Sequence, residues 1–172
     1  CAHDTAMPFL GACGCGPVSV PGRQKPQDQL PMAVYHSISP DYFDALQIPL
    51  SQGDRWQTHI RGGQSDVAVI NQRLADLYWP NQNPIGQVIE ADPYNDGELM
   101  LFTISGIAKN VPSNSHLHFD FLASYSSQKE IPDNFSGIHQ HFIYVLLDGP
   151  TAAAGLENKL LDFLHRNWTE DP

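Results

Sequence analysis

The spacing of apolar residues divides the chain into short strands and three helices. Met32–Ile38 alternates between apolar and polar positions, which is typical of a strand. Tyr42, Phe43 and Leu46 follow at helical spacing and predict one apolar helix face. This strand–helix unit holds neither a nucleophile–base pair nor a cluster of metal-binding side chains, so its residues indicate a scaffold.

Local signals mark both ends of this first helix. The Ser39 hydroxyl is expected to accept a hydrogen bond from the first turn, and Pro40 suits the first helical position, where its missing N–H costs nothing. Pro49 is expected to end the helix, because the residue before a proline is disfavoured in the α region. Gly53 then closes the unit.

A second strand–helix unit comes next. Val67–Ile70 is a short and fully apolar strand, and Asn71 is suited to cap a helix over Gln72–Trp79. The positions expected on the buried side of this helix are Leu74, Leu77 and Tyr78.

Two strands and a long helix complete the pattern. Leu99–Ala108 carries apolar residues on both faces, which predicts a central strand. His139–Leu147 predicts another strand, and a helix capped by Thr151 is expected to run to about Trp168. Its apolar stripe comprises Ala153, Leu156, Leu160, Phe163 and Leu164.

Composition narrows the classes of partner. The 172 residues are 41% apolar, which is enough for one domain or two small lobes. Nine Lys and Arg against 19 Asp and Glu give a net charge of −10, so nucleic acid and anionic membrane surfaces are poor partners. No apolar run approaches the roughly 20 residues that span a bilayer. The sequence reads as an excised piece of a larger protein whose flanks could be transmembrane.

Three ordered motifs carry a family resemblance. The runs are SPDYFDALQIPLSQGDRW from residue 39, VAVINQRLADLYWPNQNPIGQVI from residue 67 and FTISGIAKNVPSNSHLHFDFLASY from residue 102. Together they resemble the signatures of the periplasmic core domain of MacB-like, FtsX-type ABC transporter permeases. The chain departs from that pattern at Gln47, where glycine is usual, and at Asn110, where aspartate is usual.

The resemblance implies a fold and its division. It implies an α+β, two-lobed mixed domain, with a β-α-β-rich membrane-proximal lobe and a smaller inserted lobe. Across the periplasmic core domain, residues 1–172, the membrane-proximal lobe would comprise residues 1–53 plus 129–172, and the inserted lobe residues 54–128.

The resemblance also implies a role without catalysis or a cofactor. The chain would be the extracytoplasmic domain of a permease subunit at the periplasmic face of the inner membrane. It would couple ATP hydrolysis by a separate ABC ATPase subunit or domain to the export or extraction of a peptide, lipoprotein or drug-like substrate. The implied partners are that ATPase, a second permease copy and a periplasmic adaptor protein. Membrane attachment would come from flanking helices absent from this chain, and the interfacial or packing residues would be Tyr42, Phe43, Leu46 and Trp56.

Two His-x-His pairs support an alternative function. His116 with His118, and His139 with His141, project to one strand face at i and i+2, so each pair could chelate a metal ion. If their strands were neighbours, four imidazoles could converge in a periplasmic metal- or ligand-sensing module. The competing interpretation is that they are half-exposed strand histidines.

The cysteines leave several states open. Cys1 could form a disulfide with Cys13 or Cys15, and an odd count leaves at least one thiol unpaired. A three-thiolate metal site is a further alternative. A small hydrolase or thiol enzyme would require Cys13 or Cys15 to lie beside a histidine, and the pKa of that cysteine's thiol to be lowered.

Overall fold

The computed structural model describes residues 2–4, 14–23, 30–56, 66–92, 99–115, 117–124, 142–149 and 151–167. Nine strands and three helices occur within these ranges. The strands are β1 (Ala2–Asp4), β2 (Gly14–Ser19), β3 (Met32–Ile38), β4 (Leu50–Gly53), β5 (Asp66–Asn71), β6 (Val88–Ala91), β7 (Met100–Ala108), β8 (Phe121–Ser124) and β9 (Phe142–Tyr144). The helices are α1 (Tyr42–Ala45), α2 (Gln72–Tyr78) and α3 (Thr151–Asn167).

Six of the strands form a closed sheet. The sheet runs in the order β2-β6-β7-β5-β8-β3, and β2 also pairs with β3, which joins the two ends into a ring. The β3–β8 and β5–β7 pairs are parallel, and the other pairs in the ring are antiparallel. On the outside, β1 and β9 extend from β3, while β4 pairs with the end of β7.

One core cluster draws on all six strands of the ring and on α2. Tyr35 of β3 stacks on Phe121 of β8 with ring centroids 5.2 Å apart, and Phe102 of β7 lies 5.8 Å from Phe121. Helix α2 adds Leu74 and Tyr78 to the same cluster. The Tyr78 hydroxyl donates a hydrogen bond to the carbonyl of Val18, so α2 is tied to β2 as well as packed on the core.

A second cluster covers the outer face of β3, β5 and β8. Tyr42 and Phe43 of α1 pack there with Trp56, and outward-facing residues such as Val69 and Leu122 complete it. Strand β7 was expected to be central and is: it pairs with β5 on one edge and with β6 and β4 on the other.

The first helix differs from its prediction at both ends. Strand β3 has the predicted bounds, but α1 begins at Tyr42 after an Asp41 cap that makes no side-chain hydrogen bond, so the Ser39 cap was wrong. The helix ends at Ala45, before Pro49 can act. Gln47, with a φ of 52°, reverses the chain in the left-handed conformation. This is the position at which the resembling family usually has glycine, the residue that adopts such a φ without strain.

Other expectations fare unevenly. The Asn71 cap and the α2 helix are confirmed, but Leu77 is exposed rather than buried. In the apolar stripe of α3, Leu160, Phe163 and Leu164 are exposed, while Ala153 and Leu156 are partly buried. The ring takes strands from both sides of residue 54, and the division into sub-lobes stays a prediction.

Two strands approach unusually closely at Gly53. Its φ is +72°, and Gly53 pairs directly with Gly106 of β7. A Cβ atom at Gly53 would lie 2.4 Å from the carbonyl oxygen of Ser105 and 2.8 Å from the Cα of Gly106. The approach of β4 to β7 therefore requires glycine at residue 53.

We expect Gly53→Ala to lower the free energy of unfolding by about 3 kcal/mol, from roughly 1–2 kcal/mol of left-handed strain and about 1–3 kcal/mol of steric overlap. Gly86→Ala is the matched control, because Gly86 has a φ of +82° but nothing within 4 Å of an added Cβ. It should cost only about 1 kcal/mol. If urea unfolding showed that both variants lose the same free energy of unfolding, the close approach of β4 to β7 at Gly53 would be contradicted.

We expect Tyr78 to make stability fall at alkaline pH. Burial raises the pKa of Tyr78 from 10.0 to about 12. Because the folded-state pKa is the higher one, its contribution is fully present below pH 10 and is lost as pH rises toward 12. Tyr78→Phe loses the hydrogen bond to Val18, so its free energy of unfolding at neutral pH should be about 1 kcal/mol lower than that of wild type. Between pH 10 and 12 that free energy, measured by urea unfolding, should fall less steeply in the variant than in wild type.

Candidate functional site

A buried carboxylate joins β8 to β3. Asp120 is 5% exposed and directly precedes β8. Its backbone N–H donates to the carbonyl of Val34 in β3 at 2.6 Å, and its Oδ2 accepts from the Val34 N–H at 2.9 Å. Backbone and side chain of one residue therefore bind both peptide groups of the other, which fixes where β8 begins along β3.

The other carboxylate oxygen binds the start of α2. Oδ1 of Asp120 accepts from Asn71 Nδ2 at 2.9 Å and from Arg73 Nε and Nη2 at 3.1 and 2.6 Å. Asn71 also uses its Oδ1 to cap the Leu74 N–H at 2.8 Å, and its Nδ2 donates to Phe119 O at 2.8 Å. The cap of α2 and the carboxylate thus share one network, which we call the Asp120 junction (Asn71, Arg73, Asn110 and Asp120).

Asn110 supplies the fourth member of the junction. Its Oδ1 accepts from the backbone N–H of Arg73 at 2.8 Å, so it satisfies an amide of the first turn of α2 from outside the helix. An aspartate, usual at this position in the resembling family, could accept the same bond. The departure noted from the sequence therefore preserves the contact.

The junction lines a cavity of about 310 Å³. Arg73 is the charged residue on its rim, with 63% of its side chain exposed, while the Asp120 side chain is 6% exposed. The buried negative charge is thus compensated by a cation whose other face remains hydrated, which avoids most of the cost of burying a pair. The other lining residues are Val34, Asn71, Asn110, Val111, Ser113, His118 and Phe119.

The four residues predicted for packing or interface lie together. Tyr42, Phe43 and Trp56 are buried in the outer cluster, and Leu46 is partly buried against it. Phe43 meets Trp56 edge-on at 5.3 Å, and Tyr42 meets Tyr144 of β9 edge-on at 5.7 Å. Within the described residues, the buried Trp56 Nε1 has no hydrogen-bond partner. Their part in interdomain motion stays a prediction.

The structure describes only some of the residues on which the metal-binding and thiol hypotheses depend. His116, His139 and His141, like Cys1 and Cys13, lie outside the described residues. His118 is exposed, and its backbone carbonyl accepts a hydrogen bond from Nε2 of the buried His36 at 3.0 Å. Cys15 is exposed on β2. No group of three or more metal-binding side chains occurs in the described part of the chain, and the metal and thiol alternatives stay predictions.

Comparison with known families decides the assignment. The sequence profile of the MacB-like periplasmic core domain matches residues 4–163. The chain belongs to this family. No protein with a curated description matches it in sequence. Among the residues that the structure describes, no helix is long and apolar enough to cross a membrane.

Solved structures share the fold of this MacB-like domain. A domain of a putative permease protein from Porphyromonas gingivalis matches with a TM-score of 0.72 and 17% identity, over 99% of this chain and 65% of that chain. The periplasmic region of MacB from Actinobacillus actinomycetemcomitans gives 0.60 and 16%, over 96% and 67%. The extracellular domain of the noncanonic ABC-type transporter YknZ from Gram-positive bacteria gives 0.57 and 10%, over 97% and 76%. The chain thus spans less than two thirds of the first of these.

The run Phe119-Asp120-Phe121 lies within the third motif of the family resemblance, but the sequence alone predicts no role for Asp120. The sequence did hold a signal, because an acid between two phenylalanines tends to be drawn into the core with them and then needs a hydrogen-bond partner. The partners Asn71 and Val34 lie 49 and 86 residues away, and no local pattern connects them.

We expect Asp120→Ala to lower the free energy of unfolding by about 3 kcal/mol, because it leaves the Val34 N–H and one of the two N–H donors of the buried Asn71 Nδ2 without an acceptor. Arg73→Ala should cost about 1 kcal/mol or less, since its guanidinium is largely exposed. Thermal and urea unfolding would check both. A loss for Arg73→Ala equal to that for Asp120→Ala would mean that charge compensation, not the hydrogen bonds to β3 and α2, holds the junction.

Proposed function

We propose that this domain transmits movement in a permease subunit and carries out no chemistry itself. A periplasmic domain of a MacB-like ABC transporter permease lies across the membrane from the site of ATP hydrolysis. The ATPase, as a separate subunit or domain, would drive the membrane helices of paired permease copies, and these would move the domain as a rigid body. A periplasmic adaptor protein is the further partner that this arrangement would engage.

The proposal rests on one observation: the fold is held rigid by a closed ring of strands and by the Asp120 junction. The Asp120 junction connects β3, α2 and β8, and the ring of six strands has its two ends paired with each other. A closed sheet resists shear between its strands, since any slip breaks ladder bonds on both sides. A rigid domain of this kind moves as a whole when its membrane helices move, so it can transmit their displacement without deforming.

We further propose that the transported substrate is a peptide, a lipoprotein or a drug-like molecule.

The test compares movement within the domain with movement between domains. In the full-length permease with its ATPase in nanodiscs, spin labels at Gln52 and Asp76 report distances inside one domain, and a label at Gln82 reports the distance between two copies. All three positions are exposed. We expect ATP to change the Gln82–Gln82 distance and to leave the Gln52–Asp76 distance unchanged.

An ATPase variant that binds but does not hydrolyse nucleotide is the control for the cycle. An internal distance that changes as much as the distance between copies would contradict rigid-body transmission. Two distances that never respond to ATP would contradict coupling itself.

A further inference from the structure

The cavity at the Asp120 junction presents hydrogen-bond donors that have no acceptor in the described part of the chain. Asn110 uses its Oδ1 for the backbone N–H of Arg73, and its Nδ2 makes no hydrogen bond to a described residue. Arg73 binds Asp120 through Nε and Nη2, which leaves both N–H groups of Nη1 and the second one of Nη2. These remaining groups form the end of the guanidinium, a fork whose spacing matches a carboxylate.

Further side chains of the cavity wall can donate. Ser113 and His118 line the same cavity, and neither side chain has a hydrogen bond to the residues that the structure describes. A hydroxyl and a neutral imidazole ring each offer one donor. Together with Arg73 and Asn110, they bring donors to one cavity from two separate segments of the chain.

The carboxylate and amide oxygens of the same wall already accept hydrogen bonds. Oδ1 of Asp120 accepts from Asn71 and Arg73, and Oδ2 accepts from the Val34 N–H. The Oδ1 atoms of Asn71 and Asn110 each accept from the backbone of α2. A cavity whose oxygens are satisfied and whose donors are not is suited to a ligand that accepts hydrogen bonds, and the guanidinium favours one with a negative charge.

The rest of the lining indicates what carries that charge. Val34, Val111 and Phe119 belong to the wall of the cavity. Apolar walls favour a ligand that brings an apolar group out of water, and a hydrated inorganic anion brings none. The volume of about 310 Å³ lies at the lower end of the range for ligand pockets, roughly 300–1,000 Å³, so the attached group must be small.

We propose that the cavity binds a carboxylate carried on a small apolar group. Arg73 and Asn110 would donate to the carboxylate, and Val111 and Phe119 would pack against the apolar group. Asp120 limits the affinity, because the same guanidinium already compensates its charge. This chemistry occurs at the C-terminal residue of a peptide and in a free aliphatic or aromatic acid. The inference concerns binding by the domain itself and does not depend on its role in transport.

NMR titration of the 172-residue domain tests the proposal, with N-acetylphenylalanine as the probe. We expect saturable shifts of the Asn110 side-chain amide and of the Arg73 Nε–H signal, with a dissociation constant on the order of 1 mM for a ligand of this size. N-acetylphenylalaninamide lacks the charge and acetate lacks the apolar group, so each should bind about tenfold more weakly. The free acid 3-phenylpropanoate separates the two sources: tighter binding than that of the probe would indicate a free acid, and weaker binding a peptide C-terminus.

Matched substitutions test whether the binding occurs in this cavity. Asn110→Asp keeps an oxygen for the Arg73 N–H but replaces the amide donors with a charged oxygen, so the affinity should fall about tenfold or more while the unfolding temperature changes little. Asn83→Asp is the control: it adds the same charge outside the cavity, and Oδ1 of Asn83 makes the same kind of bond, to the Ile85 N–H at 3.0 Å. The control should bind the probe as tightly as wild type. Arg73→Ala should also lower the affinity about tenfold or more.

Several results would overturn the proposal. Absence of saturable shifts at a probe concentration of about 20 mM would exclude the site. Equal binding of the acid and its amide would mean that the donors of Arg73 and Asn110 take no part, and equal binding of acetate would remove the role of the apolar wall. Equal weakening by Asn110→Asp and Asn83→Asp would assign the binding to the net charge of the domain rather than to this cavity.

Discussion

The hydrogen bonds of one buried carboxylate hold the relative positions of β3, α2 and β8. Asp120 binds the backbone N–H and C=O of Val34 and the side chain of Asn71 that caps α2, so three hydrogen bonds of one residue set both the strand register and the helix position. A buried acid is costly unless its oxygens are satisfied. That cost makes any shifted arrangement of these elements worse than the native one, which gives the ring a single register.

The glycine pair restrains the opposite side of the ring. Gly53 and Gly106 allow β4 to lie against β7 at a distance that no side chain permits, and the chain then turns into Trp56 and the outer cluster. The outer cluster and the inner core are therefore linked through both a polar contact and a close backbone approach. Two apolar layers joined in this way resist movement relative to each other, because a shift of one layer would break contacts in the other.

Local features of the fold could be predicted from the sequence, and long-range ones could not. The bounds of β3 and the Asn71 cap follow from periodicity and capping chemistry within a few residues. The family was also recognisable, because three motifs occur in order. The start of α1 was wrong because Asp41 and Pro40 form a turn before the helix, and Leu77 was misplaced because a seven-residue helix buries only a narrow face. The Asp120 junction could not be predicted, since its members come together only when strands far apart in sequence pair.

The parallel pairing of β3 with β8 has a consequence for how the chain folds. The contact between Val34 and Asp120 spans 86 residues, so the ring cannot close until β8 has been made. Pairings of such high contact order form slowly, because the entropy of closing the loop is lost before the contacts are gained. Until β8 is made, the strands of the ring can form only an open sheet in the order β3-β2-β6-β7-β5, with β3 and β5 at its two edges. Unpaired strand edges can pair with other chains, so the arrival of β8 both closes the ring and removes two sites of aggregation.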